Sequence, residues 1–433
     1  MRYHGRDWRT ILLGISSLGG ALSAFTFAAL IFVFAAFGLL RKDYPQNDPI
    51  TLQDVVIASG IVFIGAVFLP AVYYSIQRLR GKEIPEAAPK LLKIWQGFLL
   101  LLLWAGSALL AQRLVDNDIL KWFTPPLYLL AIGTPVFFLV RLASGGLNAG
   151  SRQRFWGVMV TSIALGAPLS AIAEGMLVIV GLVGAGAYLG LHPEQLAAFK
   201  QITDQITNAS SIDVALNAIA PWLNNPLVFL LALLFFSGVA PVIEEIAKSL
   251  AAWTVFDHLD SPAQGFVVGA LSGAGFGLFE GLLASATPDS SWATTLMIRG
   301  GSTMMHIMAA SLTGWGIASL HAGRTDGRRV LHVIASYTLA IFMHGLWNAA
   351  AIMIVFGSLR VQSNTGAPDP IGMVLGFSGI SVLIILCLAI PLALVIINKQ
   401  LRTAVPLTPI PLLENHPNLL PSDENGEKRK GVQ

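Results

Sequence analysis

Two adjacent glutamates and a lysine lie inside a long apolar stretch of the sequence, APVIEEIAKSL, which begins at Ala240. On a helix, Glu245 lies about 100° round the axis from Glu244, and Lys248 lies at about 40°, between the two carboxylates. The lysine can pair with either glutamate, which leaves the motif with a net negative charge. Such pairs are common on solvated helix surfaces, but the apolar neighbours on both sides argue against a solvated surface here.

More polar residues occur in the apolar stretches that follow. His306 lies in TMMHIMAAS, and the segment HGLWN places His344 and Asn348 one helical turn apart on the same face. Each Glu or Lys at the centre of a membrane helix costs about 2.5–3.5 kcal/mol to insert. The charged side chains must therefore meet one another, water or a metal ion. Two histidines close in sequence to three glutamates favour a site over scattered core residues.

Glu280, the third of these glutamates, lies on the glycine-lined face of its helix. In GFVVGALSGAGFGLFEGLL a glycine recurs every four residues, which forms a small-residue ridge at which membrane helices approach closely. Glu280 falls about 20° from Gly269 on a helical wheel. Helix packing explains the glycines but not a glutamate among them, so we expect Glu280 to face a neighbouring helix. The ridge comprises Gly269, Gly273, Gly277 and Gly281.

Glutamate and histidine without cysteine support two related kinds of hydrolysis. Carboxylate and imidazole ligands can hold a divalent metal such as zinc with an open position, which lowers the pKa of a bound water toward 7. Alternatively, a glutamate activates water directly as a general base, while His and Asn stabilise the oxyanion. Both alternatives predict hydrolysis of a peptide bond held within the membrane. Glu244 and Glu245 would supply the base, and Lys248 would set the local charge.

The composition predicts an all-α, polytopic membrane protein. Of the 433 residues, 55% are hydrophobic and only 12% are charged, and apolar runs long enough to cross a bilayer recur along the chain. The net charge of +3 is too small to indicate nucleic-acid binding, and the single cysteine, Cys387, excludes a disulfide within one chain. We predict about ten transmembrane helices, near residues 11–40, 54–75, 94–111, 124–140, 156–190, 226–255, 263–286, 295–320, 332–357 and 371–397.

The distribution of basic residues predicts the orientation of these helices. Most Lys and Arg fall in the segments on the side of the N-terminus, whereas few, Arg299 among them, fall on the opposite side. The positive-inside rule therefore places both termini in the cytoplasm and requires an even number of spans. The basic cytoplasmic surface also suits the anionic headgroups of a lipid bilayer.

The chain divides into five predicted regions. Outside the site-bearing spans, the sequence is mostly plain and apolar up to residue 190, amphipathic from 191 to 225, and rich in proline at its C-terminus, where disorder is expected. The regions are an N-terminal five-helix membrane region (1–190), an extracytoplasmic connector (191–225), the core that carries the polar motifs (226–357), the last transmembrane helix (358–397) and a disordered cytoplasmic tail (398–433).

Two polar positions have no simple place in this arrangement. Glu174, in the span SAIAEGMLVIV, either is satisfied within the helix bundle or belongs to a polar pathway; the first is favoured because its own helix offers no partner.

Glu244 lies about 27 Å from the outer end of its predicted span, and Glu280 only about 9 Å from the outer end of the next. With these span ends the two carboxylates do not meet, so tilt or a broken helix is required.

Four motifs together resemble those of the PrsW-type intramembrane proteases, which are related to CAAX-prenyl endopeptidases and bacteriocin-processing proteases. They are a Glu-Glu-x-x-Lys motif, a Phe-x-x-x-Glu motif, an isolated histidine in the next span and a His-x-x-x-Asn motif. Each motif alone is weakly specific, but their order is more specific. The matching residues are Glu244, Glu245, Lys248, Phe276, Glu280, His306, His344 and Asn348.

The resemblance implies an intramembrane metalloprotease that cleaves membrane-associated proteins, such as an anti-sigma factor or another single-pass protein, in a bacterial inner membrane. It implies a divalent metal, zinc, with His306, His344 and Glu280 as ligands. The catalytic residues would be Glu244, Glu245, Lys248, Glu280 and Asn348.

Two other functions fit a membrane protein with buried charges. A proton-coupled transporter or channel also uses intramembrane Glu, His and Lys, although the sequence has no repeat that relates its two halves. A non-catalytic scaffold would bind membrane proteins through the glycine ridge alone. Ion flux through the protein would indicate a transporter or channel. A requirement for the glycines but not for the glutamates would indicate a scaffold.

Overall fold

The computed structural model describes residues 8–40, 49–208, 212–289, 291–321, 327–363 and 369–403. Within these ranges the chain forms helices and no β-strand. The helices are α1 (Trp8–Leu40), α2 (Pro49–Leu79), α3 (Ile94–Val115), α4 (Thr124–Ser144), α5 (Arg152–Thr161), α6 (Ala167–Leu191), α7 (Pro193–Thr207), α8 (Ile212–Leu223), α9 (Pro226–Leu233), α10 (Ala240–Thr254), α11 (Pro262–Ala284), α12 (Trp292–His321), α13 (Gly327–Ser363) and α14 (Pro370–Thr403).

Ten long helical segments correspond to the ten predicted spans, which confirms the all-α fold. Two of them contain a π-helical turn: residues Ser162–Gly166 join α5 to α6, and Leu234–Val239 join α9 to α10. In the described part of the chain, nine segments are long and apolar enough to cross a membrane. The tenth, α12, is more polar, but its middle turns are buried among other helices. The protein is therefore a multi-pass membrane protein.

The ends of the first and last helices lie on one side of the bundle, which we call the basic face. Arg9 at the start of α1 forms an ion pair of 2.8 Å with Asp257 in the loop between α10 and α11. Arg154 at the start of α5 donates to Gln264 at the start of α11. Asn398 near the end of α14 donates to the Ala143 carbonyl at the end of α4. These contacts agree with an even number of crossings; which side of the membrane the basic face occupies stays a prediction.

Helices α11 and α12 run antiparallel in close contact along the predicted glycine ridge. A Cβ atom at Gly269 would overlap the Ala310 carbonyl, and one at Gly273 would overlap the His306 carbonyl. The contact is looser at Gly277, where a Cβ would lie 3.1 Å from Thr303 Cα, and Gly281 lies against Ile132 of α4. The missing side chains thus let the backbone of α11 lie against the backbone of α12, and this contact fixes the depth of His306 relative to α11.

Adding a methyl group to this ridge is expected to destabilise the protein. We expect Gly273→Ala to lower stability by about 1–3 kcal/mol, because the backbones must separate to admit the Cβ atom. Gly181→Ala on α6, where a Cβ would meet nothing within 4 Å, is the matched control and is expected to be neutral or slightly stabilising. Thermal unfolding of both variants in detergent measures the difference, and equal melting temperatures would contradict the backbone contact.

The N-terminal helices pack directly against the helices that carry the motifs. The Tyr128 hydroxyl on α4 donates to the Leu282 carbonyl on α11. Ser162, in the π-helical turn before α6, donates to the Ser272 carbonyl at 2.7 Å. Residues 1–190 and 226–357 therefore contact each other through buried hydrogen bonds, and their treatment as separate regions stays a prediction.

The connector and the tail differ in how far the structure describes them. The described residues within 191–225 form the two short helices α7 and α8, in which the rings of Phe199 and Trp222 lie 6.4 Å apart. Helix α14 continues to Thr403. The rest of the predicted disordered tail lies outside the described residues.

Candidate active site

Helix α10 carries the first three site residues in the arrangement expected from their spacing. Lys248 Nζ lies 2.7 Å from Glu245 Oε1 and 3.2 Å from Glu244 Oε2. Lys248 and Glu245 have no exposed surface, and Glu244 is only 9% exposed. A buried ammonium thus bridges two buried carboxylates, which offsets part of the cost of placing them in an apolar interior.

Helices α12 and α13 bring the two histidines to the same point. His306 Nδ1 lies 2.7 Å from Lys248 Nζ, and His344 Nδ1 lies 2.8 Å from Glu245 Oε1. The two imidazole rings are perpendicular, with centres 5.1 Å apart. Lys248 Nζ also lies 4.4 Å from the centre of the Phe276 ring, a cation–π contact that gives the phenylalanine of the second motif a physical role.

Glu280 joins this group from α11 through an ion pair and a hydrogen bond. Its Oε2 lies 2.6 Å from His306 Nε2, and its Oε1 accepts from Arg299 Nη1 at 2.7 Å. His306 is level with Gly273, about 10 Å along the axis from Glu280. Side chains lean toward the N-terminus of their own helix, so on these antiparallel helices Glu280 and His306 lean toward each other and close the gap.

Arg299 contacts the candidate site, although its position in the sequence predicts only a basic residue on the outer side of the membrane. In the structure its guanidinium holds the outer oxygen of Glu280. No local pattern connects the two residues, since they lie on different helices. The only available signal was that Arg299 falls seven residues, or about two turns, before His306 on the same helix face.

Three side chains could hold a metal ion between them. Glu244, His306 and His344 each offer a ligand atom, and these atoms lie within 4.8 Å of one another. Glu244 Oε2 lies 3.7 Å from His344 Nε2 and 3.9 Å from His306 Nδ1. Ligand atoms around tetrahedral zinc lie about 3.3 Å apart, so small side-chain movements would bring the three atoms into range.

The surroundings of these three ligand atoms also fit a metal. Glu244 Oε2 makes an ion pair of 3.2 Å with Lys248 Nζ but no hydrogen bond within the described residues. The second nitrogen of each histidine contacts a carboxylate: Glu280 for His306 and Glu245 for His344. Carboxylates in these positions orient ligating histidines in metal sites. Lys248 Nζ now lies against His306 Nδ1, so the ammonium would have to leave that nitrogen on metal binding.

Glu280 and Glu244 occupy different positions relative to the two imidazoles. Glu280 was predicted to be both a ligand and a catalytic group, and Glu244 to be a base. Glu280 contacts the far nitrogen of His306, whereas Glu244 faces both imidazoles. This geometry favours Glu244 as the third ligand and Glu280 as the group that orients His306; both roles stay predictions.

Asn348 contacts the backbone of α9–α10 rather than the charged group. Its Nδ2 donates to the Phe236 carbonyl at 2.8 Å. In the π-helical turn the Ala240 N–H bonds to the Phe235 carbonyl, five residues back. The next residue in this pattern is Pro241, which has no N–H, so Asn348 supplies the donor that the Phe236 carbonyl lacks. The predicted catalytic role of Asn348 is not tested by this contact.

A cavity of about 120 Å³ opens in front of the site. Its walls come from α6, α10 and α11, and they include the carboxylates of Glu244, Glu280 and Glu174. The last of these was predicted to be satisfied within the bundle, but its Oε1 is buried without a hydrogen-bond partner. The remaining lining residues are Ala167, Ser170, Ala171, Phe276, Phe279 and Leu283.

Comparison with known proteins gives one family. No match to the chain is found among curated proteins or among solved structures. One family model does match the chain. The matched segment covers α9–α13, which carry all the motif residues, and extends from within α7 to within α14. Residues 198–386 match the model of the PrsW family intramembrane metalloproteases, which confirms the resemblance drawn from the four motifs and supports an intramembrane protease.

Proposed function

We propose that the protein is an intramembrane endopeptidase that hydrolyses peptide bonds of membrane-associated proteins with a divalent metal, zinc, held by Glu244, His306 and His344. The observation that carries the proposal is the buried group itself. Residues from four helices converge there, and three of them, Glu244, His306 and His344, offer ligand atoms within 4.8 Å of one another.

Different side chains would have different roles in such a site. When bound, a divalent metal would polarise the scissile carbonyl and make water a stronger acid. Glu280 and Glu245 hold the two imidazoles in fixed orientations, and Arg299 holds Glu280. Lys248 balances the carboxylates of α10, so that the site does not carry the full repulsion of adjacent negative charges.

The location of the site suggests the class of substrate. The cavity lies between membrane-spanning helices, so a substrate segment would approach from within the bilayer. We infer that single-pass proteins, of which an anti-sigma factor is one example, are the substrates. We also infer a bacterial inner membrane with the basic face in the cytoplasm, since Lys and Arg concentrate on that face.

The test is cleavage in reconstituted vesicles. Purified protein is combined with single-pass proteins extracted from the membranes of the producing cells, and new N-termini are mapped by mass spectrometry. We expect cleavage by the wild type and none by Glu244→Gln. Glu83→Gln, which removes an exposed carboxylate from the loop after α2, is the matched control and should cleave normally.

Two results would contradict the proposal. Identical new N-termini with the wild type and with Glu244→Gln would show that the cleavage comes from a contaminating protease. Proton flux into the same vesicles that disappears in Glu245→Gln, without any cleavage, would favour the transporter alternative.

A further inference from the structure

The carboxylates of the matched segment leave open which group takes the proton from water. Glu245 accepts from Lys248 and His344 and does not line the cavity. Both oxygens of Glu280 have partners, Arg299 and His306. Glu244 lines the cavity but completes the ligand set with the two histidines. If Glu244, Glu245 and Glu280 have these roles, another group that lines the cavity must accept the proton.

Glu174 is a carboxylate on the same cavity with no role so far. It lies on α6, before the segment that matches the family model. Its Oε1 is buried without a hydrogen-bond partner. Two neighbours on α6, Ile172 and Met176, are 54% and 61% exposed and lie about 200° away round the helix axis. Glu174 therefore points away from the most exposed face of α6 and toward the cavity, between membrane-spanning helices, where an ionisable group is costly to insert and tends to be functional.

The packing of α6 aims Glu174 at the site. Gly166, which ends the π-helical turn before α6, lies against the Ala247 carbonyl of α10; a Cβ there would lie 3.2 Å from that oxygen. The two helices run antiparallel at this contact, so Glu174 is level with residues near 239, about 8 Å from the level of Glu244. Because each side chain leans toward the N-terminus of its own helix, Glu174 and Glu244 lean toward each other across the cavity.

The cavity has room for the reactants of a hydrolysis. Its volume of about 120 Å³ corresponds to roughly four water molecules. Its α6 wall is lined by small side chains, Ala167, Ser170 and Ala171. This volume is enough for a water molecule and one peptide group beside Glu174 and Glu244.

We propose that Glu174 is the proton acceptor for the attacking water, an assignment that rests on the proposed function. A proton passes from water to the Glu174 carboxylate while the water oxygen forms a bond to the scissile carbonyl carbon. The carbon–nitrogen bond then breaks, its electron pair stays on nitrogen, and the Glu174 carboxylic acid returns the proton to that nitrogen. One water is consumed, and the products are a carboxylic acid and an amine.

The test compares Glu174→Gln with the wild type on a synthetic transmembrane peptide that covers the first cleavage site mapped in the vesicles. We expect kcat to fall by about 10²–10⁴-fold, the usual contribution of a general base. Metal content, melting temperature and the affinity for the peptide should remain those of the wild type. Glu194→Gln, at an exposed glutamate of α7, is the matched control and should cleave at the wild-type rate.

Each of the following results would contradict the assignment of Glu174 as the proton acceptor. A wild-type rate in Glu174→Gln overturns it and leaves the proposed function intact. A lower metal content or a lower melting temperature of Glu174→Gln also overturns it, because Glu174 would then stabilise the fold or support metal binding. Glu174→Asp keeps a carboxylate one methylene further back and should retain a rate between those of the wild type and Glu174→Gln; a rate no higher than that of Glu174→Gln overturns it. No cleavage by the wild type overturns the proposed function and this assignment together.

Discussion

Wild-type protein purified in detergent is expected to carry about one divalent metal ion per chain, and the double variant His306→Ala/His344→Ala is expected to carry none. The two imidazoles supply two of the three candidate ligand atoms, and the remaining carboxylate, Glu244, cannot hold a metal alone. Elemental mass spectrometry of both proteins measures the occupancy and identifies the metal. The double variant His258→Ala/His332→Ala removes two histidines outside the site and should keep the wild-type occupancy.

The carboxylates that contact the histidines should show a graded effect. Glu245→Gln and Glu280→Gln are expected to weaken metal binding by about 10–100-fold, the usual effect of losing a group that orients a ligating histidine. Glu244→Gln should weaken it more, because it removes a ligand. Equal effects of all three variants would contradict the separation of Glu244 from the other two.

A metal-free wild type would change the mechanism rather than the site. If controls exclude loss of metal during purification, the result would favour a glutamate that activates water directly, with the histidines as oxyanion or proton-transfer groups. Cleavage in the vesicle experiment would then persist in the presence of a chelator.

The second large effect is expected from Lys248→Met, which should destabilise the metal-free protein by about 3–5 kcal/mol. Lys248 is fully buried between Glu244 and Glu245, and methionine fills a similar volume without the charge. The variant leaves Glu245, which has no exposed surface, without its ammonium partner. Removing one partner of a buried ion pair costs far more than removing one from a surface pair.

The melting temperature in detergent, measured with and without added zinc, tests this prediction. Zinc should recover part of the loss in Lys248→Met, since a divalent ion would balance the same carboxylates. Lys200→Met, at an exposed lysine of α7, is the control and should melt like the wild type. The charge-balancing role would be refuted by a Lys248→Met protein that melts at the control temperature.

The sequence by itself determined the helices and the arrangement within each of them. Nine of the ten predicted spans are, in the described part of the chain, helices long and apolar enough to cross a membrane. They followed from the lengths of the apolar runs, because a chain in lipid must satisfy its backbone within each helix. The contact of Lys248 with both Glu244 and Glu245 followed from their spacing, because helix geometry is set by hydrogen bonds four residues apart. The ridge of glycines on α11 was visible for the same reason.

Only the tertiary structure decided how the helices stand relative to one another. The predicted span ends put Glu244 and Glu280 at depths about 18 Å apart. The hydrogen bond from Ser272 to the Lys248 carbonyl places Lys248 level with Ser272, so Glu244 and Glu280 differ by only about 6 Å in depth. The axial shift between two helices depends on which side chains interlock, and the positions of their ends do not fix it.

The same reason explains the residues whose roles the sequence did not indicate. Arg299 and Glu174 meet the site only because α12 and α6 pack against α11 and α10. Asn348 has the expected spacing from His344, but its contact with the Phe236 carbonyl depends on a π-helical turn in another helix. The sequence determined which side chains can do chemistry, because residue type and local spacing are intrinsic to the chain. Packing between helices decided which atoms of those side chains face one another.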